Sequence, residues 1–290
     1  MNKEFNFLNI ISDALSNSSY LGDDCAYLDE YNIAISKDCL IEDVHFSLNY
    51  MTPYEIAKKA LLVNISDILA SGALPKYALV GLCGNLNEKF VKDFYNGINE
   101  ISNKYNIKII GGDLTKAPKI SISITIFGDY KNRNISSRKN AQNDYIVATY
   151  GEFGSSAMGL YNLQNNIIEN YFTFYHKNPP LYPEISNLIA TKTKYPYAMM
   201  DSSDGLCDCL IQIASKSNVK IDISYDLIPK KISNKDYILY GGEDYALVIA
   251  LHKNDFYNIG KLTKIGTCSN GQGVFIDNKE LKYKGYNHFE

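Results

Sequence analysis

Asp201-Ser202-Ser203-Asp204-Gly205-Leu206 follows a short apolar run, Ala198-Met199-Met200, and opens a predicted helix reaching about residue 216. Two carboxylates three residues apart, with two hydroxyls between them and a glycine behind, offer the hard oxygen ligands that magnesium prefers. The free N–H groups of the helix start can take a phosphate oxygen. Alone, Ser and Asp ahead of a helix are ordinary N-caps. The same grammar recurs, however, at Asp24, Asp38, Asp67 and Asp113, each predicted at the edge of a regular element and mostly beside Gly or Ser. Brought together, such carboxylates repel one another and raise each other's pKa, a cost that bound cations remove. Five acidic turns in one chain therefore point to several magnesium ions and, through them, to a polyphosphate.

The segments around these turns alternate between strand and helix. Residues 4–15 show apolar spacing (Phe5, Leu8, Ile11, Leu15) that predicts an amphipathic helix. Gly22-Asp23-Asp24-Cys25-Ala26 is a turn into a short strand, and a second strand over 32–36 ends in Lys37-Asp38. Thr52-Pro53-Tyr54-Glu55 starts a helix: Thr52 caps, Pro53 suits the first turn and Glu55 completes a capping box. It runs to about residue 70, stops at Gly72, and carries Asn64-Ile65-Ser66-Asp67 where a core helix would be apolar. Strands follow over 76–83, 107–110 (running into Gly111-Gly112-Asp113) and 120–126, with an amphipathic helix between the first two. Residues 129–143 are polar, placing a domain boundary there and dividing the chain into 1–132 and 133–290. Beyond it come a strand over 145–150, a helix through 163, a Pro-containing loop at 179–183 with a further helix, the opening stretch, and strands over 220–224 and 246–251.

Composition narrows the class. The chain has 290 residues, 46% hydrophobic and 21% charged, ordinary for a globular protein with one or two cores. A net charge of −3 argues against general nucleic-acid binding. No apolar run approaches a bilayer span, and Met1-Asn2-Lys3-Glu4-Phe5 does not begin a signal peptide, so a cytoplasmic protein without membrane contact is expected. Six scattered cysteines form no C-x-x-C pair and read as reduced thiols. There is no P-loop and no kinase-type glycine loop. Of the four histidines, His176 and His252 read as surface residues, whereas His45, near the Asp38 turn, is a candidate ligand contact.

Seven segments in order resemble the thiamine-monophosphate kinases, of the superfamily of aminoimidazole ribonucleotide synthetase: Gly22-Asp23-Asp24-Cys25-Ala26, Ser36-Lys37-Asp38, Val44-His45-Phe46, Asn64-Ile65-Ser66-Asp67-Ile68, Gly111-Gly112-Asp113, Asp201 to Leu206 and Gly241-Gly242-Glu243-Asp244-Tyr245. The closing Lys284-Gly285-Tyr286-Asn287-His288-Phe289 is similar too. The resemblance implies transfer of the ATP γ-phosphoryl group onto thiamine monophosphate. It implies an α+β fold of two domains, the first with a mixed sheet through which two chains form a homodimer, the second completing the site. It also implies roles: Asp24, Ser36, Lys37 (by its main chain), Asp38, Asp67, Asp113, Asp201 and Asp204 for several magnesium ions; Gly112, Asp113, Arg138 and Ser203 for ATP; His45, Glu243 and Tyr286 for thiamine monophosphate. Asp38, Asp113, Arg138 and Asp204 are the residues expected in catalysis, with Arg138 as a mobile cation. Tyr95 is a candidate to stack on adenine, with core packing as the alternative. Lys37 stands where the family has a small hydroxyl residue, and Asp43 where it has glycine. The rivals are another synthetase of the superfamily and a catalytically silent nucleotide- or metal-binding regulator.

Overall fold

The computed structural model describes residues 3–16, 20–167 and 170–282; Tyr286 and the closing segment lie outside the described residues. Five strands form the first sheet: β1 (Ala26–Leu28), β2 (Ile33–Ile41), β3 (Leu74–Cys83), β4 (Lys108–Thr115) and β5 (Ser121–Asp129), in the order β1-β2-β5-β3-β4. Only β3 and β4 pair in parallel, and such a pair needs a crossover, which α3 (Glu88–Lys104) supplies. Ala34, Ala78, Val80, Leu82, Ile122, Ile124 and Ile126 alternate along the strands and bury against α2 (Pro53–Ser71) and α3.

α2 is the central element. The Thr52–Glu55 capping box starts it and Gly72, in the left-handed conformation, ends it, as the sequence predicts. It packs on β2 and β5 on one side and on the second sheet on the other, so most of its residues are buried all round. A helix so placed can carry polar residues only where both sheets leave room for ligands.

The second sheet has the order β12-β11-β8-β10-β6-β9-β7, from β6 (Ile146–Tyr150), β7 (Ala198–Asp201), β8 (Lys220–Ile223), β9 (Leu247–Leu251), β10 (Thr263–Ser269), β11 (Val274–Ile276) and β12 (Lys279–Glu280). Alternate residues feed two cores. Val147, Ala198, Met200, Val248 and Ala250 pack towards α7 (Leu206–Ser217) and α8 (Lys235–Tyr240), whereas Ile146, Ala148, Met199, Ile249 and Leu251 pack towards α6 (Pro183–Lys192) and α9 (Lys253–Ile259). Helices on both faces explain why β9 is an unbroken apolar run. α4 (Ser155–Gln164) and α5 (Tyr171–Lys177) pack on each other beside α2.

Two expectations are corrected. Asp38 lies within β2, which runs five residues past the predicted end, and Asp113 lies within β4, which continues through Gly111-Gly112; Asp67 lies near the end of α2, as the sequence predicts. β2 continues because β5 pairs with it over its whole length, Ile41 opposite Ser121 included. β4 continues because Gly112 has no Cβ, which would sit 1.9 Å from the Val80 carbonyl oxygen. The first helix, α1 (Lys3–Ala14), exists, but Leu8, Ile10 and Ile11 on it are largely exposed.

Candidate active site

The alternation of β2 sorts its three candidate residues. Ser36 and Asp38 share the inward side with buried Ala34 and Leu40; Lys37 points to the opposite, open face, where its ammonium bonds the Ser123 hydroxyl. The inward pair meets α2: the Ser36 hydroxyl donates to Asp67, and the Asp38 N–H donates to Asn64 Oδ1 at 3.2 Å. Ser66, one residue before Asp67, hydrogen-bonds Asp201 at the end of β7. Asp24 comes in on the turn before β1, and Arg138 Nη2 lies 2.5 Å from its Oδ1. The polar run 64–67 is thus the face of α2 turned to the ligand side, not a defect in a core helix.

Burial pushes the carboxyls of Asp24, Asp38 and Asp67 up; Asp24 is pulled back by Arg138, whereas Asp38 is raised further by Asp24, and Asp67 by Asp38, Asp201 and Asp24. Asp201 is pushed up to about 8, by burial first and then by Asp24 and Asp38, against Ser66 and Arg138. Arg138 is not a mobile cation: it is largely buried, with its guanidinium between Asp24 and the Gln212 side chain. One guanidinium does not balance four acids.

This cluster borders a cavity of about 580 Å³ whose walls include Asp38, His45, Asp67, Ser203, Asp204 and Glu243. Its remaining wall is partly apolar, from Leu40, Val44, Val63, Leu160 and Tyr245. The Gly242–Tyr245 turn brings Glu243 in under strain: Glu243 and Tyr245 adopt left-handed φ values of 64° and 51°. Neighbouring elements over-determine it. The Glu243 and Tyr245 N–H groups donate to the Ser203 and Ser202 carbonyls, and Asp244 accepts from the N–H groups of Gly154 and Ser156 at the start of α4. The opening stretch and this turn are therefore one hydrogen-bonded unit.

Two residues that sequence reading missed complete the far end. Lys59 on α2 has no exposed side-chain surface, and its ammonium sits 2.8 Å from Glu243 Oε1. His176, expected at the surface, is buried on α5 against Ser156, Lys59 and Glu243. A signal for Lys59 existed: it lies four, seven and eight residues before Val63, Ser66 and Asp67, on the same helical stripe. None existed for His176, because α5 is short and amid polar sequence. His252 is half-buried and stacks on Tyr195.

Other candidates are not brought here within one chain. The register places Gly112 three strands from Asp38, about 14 Å at ordinary strand spacing. Asp113 lies opposite Gly81 on the exposed edge strand and accepts from Thr115. Tyr95 packs edge-on to Phe94 beside the first core, away from the cavity. Asp43, where a glycine was expected, has φ 63° and pairs with Lys119, so the position does need the conformation that glycine adopts freely. A larger cleft of about 830 Å³ lies along α5, but its Lys58, Lys230 and Lys231 are tied to Glu100, main-chain carbonyls and Glu152.

The residues fit divalent cations. Asp201 Oδ2 and Ser202 Oγ are buried without a hydrogen-bond partner, and the donors are oxygens of mutually repelling carboxylates. No three His, Cys, Asp or Glu side chains among the described residues form a ready-made cage. That suits magnesium, which takes one or two carboxylates and completes its shell with water and substrate phosphate.

The family model "AIR synthase related protein, N-terminal domain" matches residues 22–129, the span of the first sheet and its helices. The thiamine-monophosphate kinase of Bacillus subtilis is 34% identical over 93% of both chains, and that of Aquifex aeolicus 33% identical over 99% of this chain and 98% of its own. The solved structure "AaThiL complexed with AMPPCP and TMP" superposes with a TM-score of 0.89 at 31% identity, covering 99% of this chain and 97% of that one. The E. coli hydrogenase maturation protein HypE, at 17% identity and a TM-score of 0.71, shares the fold alone. The chain belongs to the thiamine-monophosphate kinase family.

Proposed function

We propose that this protein transfers the γ-phosphoryl group of ATP to thiamine monophosphate, forming thiamine diphosphate and ADP. The carrying observation is the juxtaposition of the Asp24–Asp38–Asp67–Asp201 cluster with a cavity that ends at Glu243 and His45. The relative seen with AMPPCP and TMP, and the curated kinases that match nearly the whole chain, support it.

The acceptor needs no general base. A phosphate monoester has its second pKa near about 6, so at neutral pH it is already a nucleophile. The difficulty is bringing two anions together, which positioning and charge neutralisation solve. Asp24, Asp38, Asp67, Asp201 and Asp204, with Ser36 beside them, would hold magnesium, which would supply that neutralisation. Arg138, fixed by Asp24 and Gln212, adds a charge that needs no reorganisation. Ser203 and Asp204, at the start of α7, face the cavity where phosphates would lie, and Glu243 and His45 hold the ring end.

The open face of the first sheet exposes Tyr77, Leu79 and Ile110, more apolar surface than an isolated sheet face should show water. A second copy packed on it forms the homodimer we propose, and Gly112 and Asp113 meet ATP only from that second copy. The domain boundary we propose at 132/133 falls between β5 and β6. No helix among the described residues is long and apolar enough to cross a membrane, and the cysteines described are free, in keeping with the cytoplasm.

Purified protein with ATP, magnesium and thiamine monophosphate is expected to form thiamine diphosphate. Asp204→Asn should lower turnover about 10²-fold or more with unchanged circular dichroism. No thiamine diphosphate, but turnover of formylglycinamidine ribonucleotide, would replace this reading with the rival synthetase.

A further inference from the structure

The buried Lys59 is the charge that the phosphoryl-transfer chemistry leaves unused. Its ammonium lies 2.8 Å from Glu243 Oε1, 3.2 Å from the His45 carbonyl oxygen and 3.4 Å from His176 Nε2. An ammonium only donates, so His176 Nε2 faces it as an acceptor. Burial, then Lys59, lowers the His176 pKa to about 3, so the ring is neutral and its single proton sits on Nδ1. That Nδ1–H lies 2.9 Å from Ser156 Oγ and 3.4 Å from Glu243 Oε2. Glu243 is thus held from behind, with Oε1 on the Lys59 ammonium and Oε2 facing the ring that Ser156 orients, while 26% of the side chain stays open to the cavity.

We propose that Lys59 and His176 are positioning residues, a clamp that keeps Glu243 ionised and aimed at the substrate's ring end. The clamp rests on the function proposed above and sharpens its specificity. A carboxylate already matched by an ammonium has little net attraction for a bare cation. It remains a strong acceptor for an N–H donor. The site therefore selects a phosphate ester whose ring system presents an amino group, and discriminates against the same ester lacking it, which would cover the open side of Glu243 without offering it a donor.

Every element packed on Glu243 contributes to its charge state. Lys59 comes from α2 and His176 from α5, His45 and Tyr50 from the segment after β2, and Asp244 and Tyr245 from its own turn. Burial alone would push the Glu243 carboxyl up, yet Lys59 beside it holds it below the usual range. Without Lys59 the burial is no longer opposed by a neighbouring cation, and the carboxyl's pKa rises.

The test compares wild type with Lys59→Met, using glutamate labelled with ¹³C at the side-chain carboxyl and the Glu243 signal assigned by its loss in Glu243→Gln. Wild-type Glu243 is expected to stay ionised down to about pH 5, and in Lys59→Met to titrate about two units or more higher. In the same variant kcat/KM for thiamine monophosphate should fall about 10²-fold at pH 7 and recover as pH rises, with KM for ATP unchanged. His176→Phe, which keeps the bulk and removes the N–H, should raise KM for thiamine monophosphate about tenfold without that acid limb. Unshifted Glu243 titration in Lys59→Met overturns the clamp. So does an equal loss for both substrates with no pH limb, the mark of a merely structural lysine. If Lys59→Met does not fold, an unchanged KM in His176→Phe, or wild-type Glu243 found protonated at pH 6, overturns it as well. The carboxyl titration needs no turnover, so an inactive wild type would count against the proposed function and leave the clamp to its own measurement.

Discussion

His176 shows how one buried ring sets a pH limit. Burial, with Lys59 behind it, depresses its folded pKa to about 3, whereas in the unfolded chain it titrates near about 6.5. Between these values the unfolded chain binds a proton that the folded chain refuses. The contribution to stability is complete above about pH 6.5 and is lost as pH falls towards 3. Chemical denaturation at several pH values should show wild type losing a few kcal/mol over that window, and His176→Phe losing distinctly less. Parallel curves for the two proteins would mean the ring is protonated in the folded state. At this scale the sequence was legible for acids and opaque for bases. Asp24, Asp38, Asp67 and Asp201 stood out because the same acidic pattern recurs along the chain, although each alone reads as a cap or turn. Lys59 shares a helical stripe with Ser66 and Asp67, but its burial, like that of His176, is set by a counter-charge that only the fold locates.

At the scale of elements, α2 organises the site and α3 holds α2 in place. The two helices approach closely at Gly97, where an added Cβ would lie 2.3 Å from the Tyr54 carbonyl oxygen and 2.9 Å from Ala57 Cβ. The first of these atoms is backbone and cannot turn aside. Gly97→Ala is therefore expected to destabilise the fold by about 1–3 kcal/mol, although alanine is the better helix former. A lower urea midpoint at unchanged slope would register it; a more stable variant would show that the crossing has slack. The extent of α2 was readable from Thr52, Pro53, Glu55 and Gly72, since capping is local chemistry. The ends of β2 and β4 were not. Both strands run on through Asp38 and Gly112-Asp113 because a neighbouring strand pairs with them, and pairing is a non-local bond that overrides the local preference for a turn.

For the whole molecule, the decisive surface is the open face of the first sheet. It carries Leu79 and Tyr77 on β3 with Ile110 on the edge strand β4, and exposes the pairing groups of that edge. Leu79→Lys should shift the mass measured by sedimentation from dimer to monomer and should weaken ATP binding through the loss of Asp113 from the second copy. A wild-type monomer at micromolar concentration, or a Leu79→Lys protein that stays dimeric, would move the interface elsewhere. Lys37 also lies on this face: its ammonium bonds Ser123, on the side of the strand away from the cavity.

The sequence by itself determined which residues can hold a metal or a phosphate, the family they resemble and the helices bounded by caps, because residue chemistry and local backbone preference are written one position at a time. Tertiary structure alone decided which candidates share a cavity. It joined the Asp201–Leu206 turn to Glu243 and to α2, turned Lys37 and Asp113 away, and buried Lys59 and His176 behind the substrate end. Those outcomes depend on strand pairing and helix crossing between residues more than a hundred positions apart, and only the folded chain brings such residues within reach of one another's charge.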